Sequence, residues 1–193
     1  GFDRDEAAAR RSRSGEAWRP EFACLPSEGL AMAGIDARAV EDVIVTHMHF
    51  DHIGTLDEFP RARFHLQELE MAYATGRHMA HGYFAGAYTV DDVIALVRHV
   101  FAGRVTFHDG DAEIAPGITV HRIGGHTMGI QCVRVLTKRG WVVLASDASH
   151  FYDNFLTMAP FPIVHDVGDM LEGFRTIERL AASPRHVIPG HDP

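Results

Sequence analysis

An α/β (α+β) fold is predicted by three features of the chain: two amphipathic helical stripes, at 90–101 and 167–180, and the strand-and-turn region between them at 104–146. The first stripe opens on Thr89, with Asp92 three residues later in the manner of a capping box. Val90, Val93, Ile94, Val97, Val100 and Phe101 then share one apolar face that stops at Gly103. In the middle region, apolar stretches at Val105 to Phe107, Ile118 to His121, Gln131 to Thr137 and Trp141 to Ala145 are separated by Asp-Gly, Pro-Gly and Arg-Gly pairs. Such punctuation predicts one antiparallel sheet. The last stripe carries Val167, Met170, Leu171, Phe174, Ile177 and Leu180, and a short Val187-Ile188 strand follows Pro184.

The N-terminal part is less regular. Residues 1 to 20 are rich in Arg, Asp, Glu, Ala and Ser, have little to bury and read as a solvated loop. A short helix is expected from Ser27 to Ala33, stopped by Gly34, with Asp36 capping another turn before an apolar strand at 43 to 45. The interval 58 to 103 reads as helical, with helix-friendly Gln67 to Ala74 and an irregular middle from Gly76 to Tyr88.

With 193 residues and 46% apolar composition, the chain can bury a substantial core as one domain spanning 1–193. The formal charge of −8 opposes a phosphate-tracking surface, so no nucleic-acid partner is expected. Apolar runs such as Val43-Ile44-Val45 have the length of buried strands, far below the roughly 20 residues of a membrane span, and no membrane partner is expected. Two cysteines, Cys24 and Cys132, make neither a disulfide framework nor a thiolate cage, which points to reduced thiols and a cytoplasmic protein. The first residue is Gly1 rather than Met, so a removed leader remains compatible with the sequence.

Four clusters of metal-binding side chains punctuate the chain: His47, His49, Asp51 and His52 in T-H-M-H-F-D-H, then His126, Asp147 and His191. Five imidazoles and two carboxylates suit two divalent cations. His47 and His49, two apart at a strand end, can project the same way, whereas Asp51 and His52 enter a turn toward helix and can aim at a neighbouring position. His126 lies in the glycine-rich G-G-H-T-M-G, Asp147 follows the apolar run Trp141 to Ser146, and His191 follows Ile188-Pro189-Gly190. A buried Asp is costly unless partnered, and a pair of cations would supply the partner. His65, His78, His81, His99, His108, His121, His165 and His186 lack such company and read as ordinary turn, surface or core residues.

The motifs T-H-M-H-F-D-H-I-G, G-G-H-T-M-G, A-S-D-A-S and P-G-H-D resemble, in that order, those of the metallo-β-lactamase superfamily, and specifically its dinuclear N-acyl homoserine lactonase-like branch. The resemblance implies an αββα sandwich. It implies that His47, His49 and His126 hold one metal, that Asp51, His52 and His191 hold the other, and that Asp147 bridges them. Zinc is the first expectation, with iron, manganese or cobalt compatible with the same donors. The implied activity is quorum-quenching hydrolysis of a lactone ring, an N-acyl homoserine lactone, by a metal-bridging hydroxide. Asp51 would shuttle the proton to the leaving oxygen. A small-molecule lactone or ester is then the partner, and a homodimer is an open expectation.

Two departures bear on this. The family sandwich begins with several strands before the position of Gly1, so the chain reads as missing its N-terminal strands and as truncated at its C-terminus too. Related lactonases often carry a tyrosine three residues after the bridging aspartate, where this chain has His150. His150 or Tyr152 is therefore the candidate for a hydrogen bond to the substrate carbonyl. The segment from Met79 through Tyr88, with His81, Tyr83 and Phe84, is open to two readings, an acyl-chain pocket or plain packing, and so are Phe155, Phe161 and the stretch from Pro160 to Pro162. Alternatives on the same scaffold are a glyoxalase II-like thioester hydrolase and a non-enzymatic metal-binding or redox module of flavodiiron type, though the latter replaces a histidine that is present here.

Overall fold

A computed structural model describes residues 2–14 and 22–192. Its strands are β1 (Asp42–Ile44), β2 (Arg63–Gln67), β3 (Val105–His108), β4 (Ala112–Ala115), β5 (Ile118–Arg122), β6 (Gln131–Thr137), β7 (Gly140–Ser146) and β8 (Val187–Pro189). The helices are α1 (Arg4–Ser14), α2 (Pro26–Met32), α3 (Phe50–Ile53), α4 (Glu68–Ala74), α5 (Gly82–Ala85), α6 (Val90–Phe101), α7 (Tyr152–Thr157) and α8 (Val167–Leu180). The strands form a parallel three-stranded sheet, β1-β2-β3, and a five-stranded sheet, β4-β5-β6-β7-β8. In the second sheet β4 to β7 are antiparallel neighbours and β8 joins β7 in parallel.

Each sheet buries its outer face under its own helices. In β2, Phe64 and Leu66 alternate out toward Leu96 of α6 and Tyr73 and Ala74 of α4, all in one apolar cluster. In the second sheet, Cys132, Val143 and Ala145 meet Met170, Phe174 and Ile177, which recur at the i, i+4, i+7 spacing of one face of α8. Full burial of each large apolar side chain contributes roughly 1.5–3 kcal/mol. The Asp166 carboxylate starts α8 by accepting the Asp169 N–H at 2.9 Å. Helices outside and two sheets inside make the expected αββα arrangement.

The sheets meet through polar groups near the ends of their strands. The Gln131 side chain donates to the carbonyls of Val45 and His65 at 2.8 and 3.1 Å, its backbone N–H donates to Thr46, and the Gln67 amide donates to Gln131 at 2.9 Å. Both glutamines are buried. Their bonds lock β6 against the end of β1, from which the H-M-H-F-D-H segment departs.

Several expectations need correction. Of residues 1 to 20, those at 4–14 form helix α1 instead of a loop, and residues 15–20 lie outside the described part. The helix is held by partners distant in sequence: Arg10 donates to the Gly86 carbonyl at 3.0 Å and stacks 3.5 Å over the Phe50 ring. The supposedly helical interval 58 to 103 contains β2, whose R-F-H-L-Q pattern hides its character because His65 and Gln67 are buried polar residues. The stretch at Val105 to Phe107 belongs to the parallel sheet rather than to one antiparallel sheet over 104–146, and β4 was not anticipated. Thr89 does precede α6, but its hydroxyl donates to Glu6 of α1 at 3.0 Å instead of closing a capping box. Asp36 does cap a turn, accepting the Arg38 N–H at 2.9 Å.

Candidate metal centre

All seven anticipated residues come together at one end of the two sheets. Beyond β1 the chain stays extended through His47, and His49 sits at the start of α3, whose first turn swings Asp51 and His52 to the other side. His126 stands on the loop between β5 and β6. Gly125 adopts φ 91°, and a Cβ there would lie 2.5 Å from the Met170 backbone, so only glycine lets this loop lie against α8. Asp147 follows Ser146, a non-glycine residue at φ 48°, a backbone strain placed next to the carboxylate it turns inward. Gly190 brings His191 in: a Cβ at 190 would sit 2.7 Å from Asp147 Oδ1.

The donors form two trios. In the inner one, the rings of His47, His49 and His126 pack edge to face with centroids 4.6, 4.9 and 4.6 Å apart, and His126 Nε2 lies 3.0 Å from His49 Nδ1. In the outer one, Asp51 Oδ2 lies 3.4 Å from His52 Nε2 and 3.8 Å from His191 Nε2. Asp147 stands between them, only 3% exposed. Its Oδ1 is 3.3 Å from His52, and its Oδ2 is 3.5 Å from His126, 3.9 Å from His47 and 3.1 Å from His191. Tetrahedral bonds of about 2.0–2.1 Å give ligand-to-ligand edges of roughly 3.3 Å, close to these separations.

Two observations test whether cations fit here. His47 Nε2 is buried without a hydrogen-bond partner, a cost of about 1–3 kcal/mol that a bound cation would relieve. His126 Nδ1 lies 2.7 Å from the Ile163 carbonyl. Because that oxygen only accepts, Nδ1 must carry the proton, leaving Nε2 with its lone pair toward the cluster. The donor set, with the His126 lone pair turned into the cluster and His47 Nε2 unpartnered there, fits a dinuclear metal site.

The trios differ electrostatically. Burial holds the imidazoles of His47 and His49 well below the usual histidine value and takes His126 to about 4, so all three are neutral at pH 7. In the outer trio burial is overcome by carboxylate partners. Burial works against the charged form of His52, yet its contacts with Asp147 and Asp51 push it up to about 9. Burial would raise Asp51, but His52 brings it down to about 2. His191 is raised chiefly by its bond to Asp147, and Asp147 is held well below the carboxylate range by His150, His191 and His52 despite its burial.

His150 and Tyr152 part company. His150 Nε2 lies 3.0 Å from Asp147 Oδ2, with its ring stacked 3.8 Å from Phe161. Tyr152 packs instead against the second apolar cluster, near Phe155, and its backbone N–H donates to Asp192 at 2.9 Å. Beside His49 and His126 a recess is lined by Tyr73, Tyr83, Phe84, Ala87, Ile163 and Val164, and the Tyr83 hydroxyl spans it to the Pro162 carbonyl at 2.5 Å. Thus Tyr83 and Phe84 border the centre, Phe155 is core, and Phe161 touches His150. Among the described residues, none of the other eight histidines joins a metal-sized group.

Glu70 escaped the reading of the sequence. It lies on α4, entirely buried, and accepts hydrogen bonds from Met48, Tyr88, Thr127 and Gly129. An acid in the first turn of a helix is favoured there on the surface as well, so its residue type carries no sign of burial.

Fold and donor set together define a class. The chain belongs to the metallo-beta-lactamase superfamily, whose sequence pattern it matches over residues 7–191. It is 30% identical over 135 residues to the N-acyl homoserine lactonase AiiB of Agrobacterium fabrum, a match covering 68% of this chain and 49% of that protein. It is 28% identical over 133 residues to an N-acyl homoserine lactonase of a Bacillus species, covering 68% and 48%. The chain thus spans about half the length of these curated relatives. Among solved structures, an N-acyl homoserine lactone hydrolase with N-hexanoyl-L-homoserine at its catalytic metal center superposes with a TM-score of 0.70 at 24% identity, over 86% of this chain and 61% of that one. AidC, a dizinc quorum-quenching lactonase, gives 0.66 at 16%, over 86% and 62%. At these identities the structural likeness establishes the shared fold.

Proposed function

We propose that this chain carries the centre of a metal-dependent hydrolase that opens a lactone ring, with an N-acyl homoserine lactone as its substrate. The observation that carries the reading is Asp147, one buried carboxylate whose two oxygens reach both trios. The relatives' names as N-acyl homoserine lactonases support the substrate class. His47, His49 and His126 would hold one divalent cation, Asp51, His52 and His191 a second, with Asp147 shared. Zinc is the proposed metal. When bound, such a pair activates water near neutral pH and stabilises negative charge developing on an ester carbonyl.

The side chains supply the rest. Asp51 is ionised at neutral pH and faces His52 and His191, so its Oδ2 can take the proton released on attack and pass it to the ring oxygen that leaves. His150 first orients Asp147. When the carboxylate is engaged by cations, the same Nε2–H can turn to the substrate carbonyl, with Phe161 fixing the ring plane. For Tyr152, ring packing in the second cluster supports a structural role. The recess at Tyr83 and Phe84 is the proposed point of entry for the acyl chain, which its free volume of about 10 Å³ would admit only once Tyr83 leaves the Pro162 carbonyl.

The test is to assay γ-lactones, thioesters and β-lactams on one sample whose metal content is measured. Lactone hydrolysis that scales with metal content is expected. Hydrolysis of thioester alone would overturn the substrate, and full turnover in a metal-stripped sample would overturn the class.

A further inference from the structure

We infer that Glu70 is a positioning residue that fixes the inner trio by joining the two loops that carry it. The inference rests on the assignment of His47, His49 and His126 as metal-holding residues. Glu70 Oε1 accepts the Met48 N–H at 2.9 Å, and Met48 is the residue between His47 and His49. The same oxygen accepts the Tyr88 hydroxyl at 3.3 Å, and the Tyr88 ring packs edge-on against His49 with centroids 4.7 Å apart. Glu70 Oε2 accepts the Thr127 hydroxyl at 2.5 Å and the Gly129 N–H at 3.1 Å, on the loop that carries His126.

One side chain therefore receives four donors, from both ligand loops and from a ring touching a ligand. It is fully enclosed, so no water can replace it. The inner imidazoles themselves receive little other fixation. His126 has the Ile163 carbonyl behind it, whereas the polar contact behind the His47 ring is Thr46 Oγ1 at 3.3 Å. Met48 and Thr127 each adjoin a ligand in sequence, so holding their N–H and hydroxyl fixes the backbone from which His47, His49 and His126 project. Outer-shell partners of this kind typically govern about 10–100-fold in metal affinity.

Glu70→Gln keeps the shape of the side chain. It replaces one acceptor oxygen by an amide that donates, so the N–H of either Met48 or Gly129 loses its acceptor. Thr127→Val removes a single donor and leaves Glu70 in place. Zinc affinity is read by competition with a chromophoric chelator, and cobalt(II) absorption bands report the geometry of the donors; folding of each metal-free variant is followed by thermal unfolding.

Wild-type protein should bind two equivalents. E70Q should weaken the tighter one by about 10–100-fold with shifted cobalt bands, and T127V should weaken it by less, in the same direction. Unchanged affinity and bands in E70Q, with only a lower unfolding temperature, would make Glu70 a plain structural residue and overturn the inference. If E70Q does not fold, T127V decides: weaker zinc binding upholds the inference and wild-type binding overturns it. Failure of the wild type itself to bind zinc would overturn the metal assignment on which it rests.

Discussion

The inner and outer trios occupy one centre and share Asp147, yet they are built for different conditions. His47, His49 and His126 are buried, neutral at pH 7 and tied from behind by Glu70 and the Ile163 carbonyl. Asp51, His52 and His191 lie nearer solvent, with the His191 side chain 40% exposed, and carboxylates favour the protonated form of both imidazoles. The difference teaches that burial and proton competition, rather than donor count, separate the two positions. On the proposed reading the inner one would be preorganised, and the outer one would assemble as protons leave.

The most severe way to break the comparison is to remove what both trios share. Asp147→Ala should lower bound metal below two equivalents and reduce lactone turnover by on the order of 10²–10³-fold or more. Metal analysis and initial rates on the same sample check this. Next in size is the contrast between His47→Ala and His191→Ala. The first should cost the tighter equivalent and also lower the unfolding temperature, because His47 is completely enclosed. The second should cost the weaker equivalent with little change in stability, as calorimetry and metal titration would show.

Acidity separates the trios more gently. A cation requires a neutral imidazole, so a proton competes with it wherever the pKa lies above the working pH. With His52 at about 9, zinc affinity of the weaker position should rise with pH between 7 and 9, by about tenfold per unit, and level off above. The inner imidazoles are already neutral, and their affinity should stay flat over the same interval. Equal slopes for both equivalents would erase the distinction. Smallest is the effect of His150→Phe, which should lower kcat by about tenfold while two metals remain, since a positioned hydrogen bond is lost but no proposed ligand is.

How much of this was legible in the sequence follows from how local each feature is. The donors announced themselves because three imidazoles and a carboxylate within six residues have little use in a core, and the later donors each follow an apolar strand. Amphipathic α6 and α8 were readable for the same reason, their signal being contained in one stretch. Strand β3 was assigned to the wrong sheet because its partner β2 lies some forty residues away in sequence, and nothing local to either says which edge they share. The sequence hides strand β2 because two of its buried residues are polar: the His65 ring bonds to Asp42 of β1 within its own sheet, and Gln67 bonds to Gln131 across the seam. Helix α1 depends on Arg10 reaching Gly86, and Glu70 on donors from three other segments. Such contacts are properties of the folded state.

The most direct test of the central claim, one dinuclear centre with a tight and a weak position, is a zinc titration of the metal-stripped full chain at pH 7 and pH 9. Two equivalents are expected at both values, with the weaker affinity rising on going to pH 9 and the tighter one unchanged. A single equivalent at both values, or two of equal affinity with the same pH dependence, would contradict it.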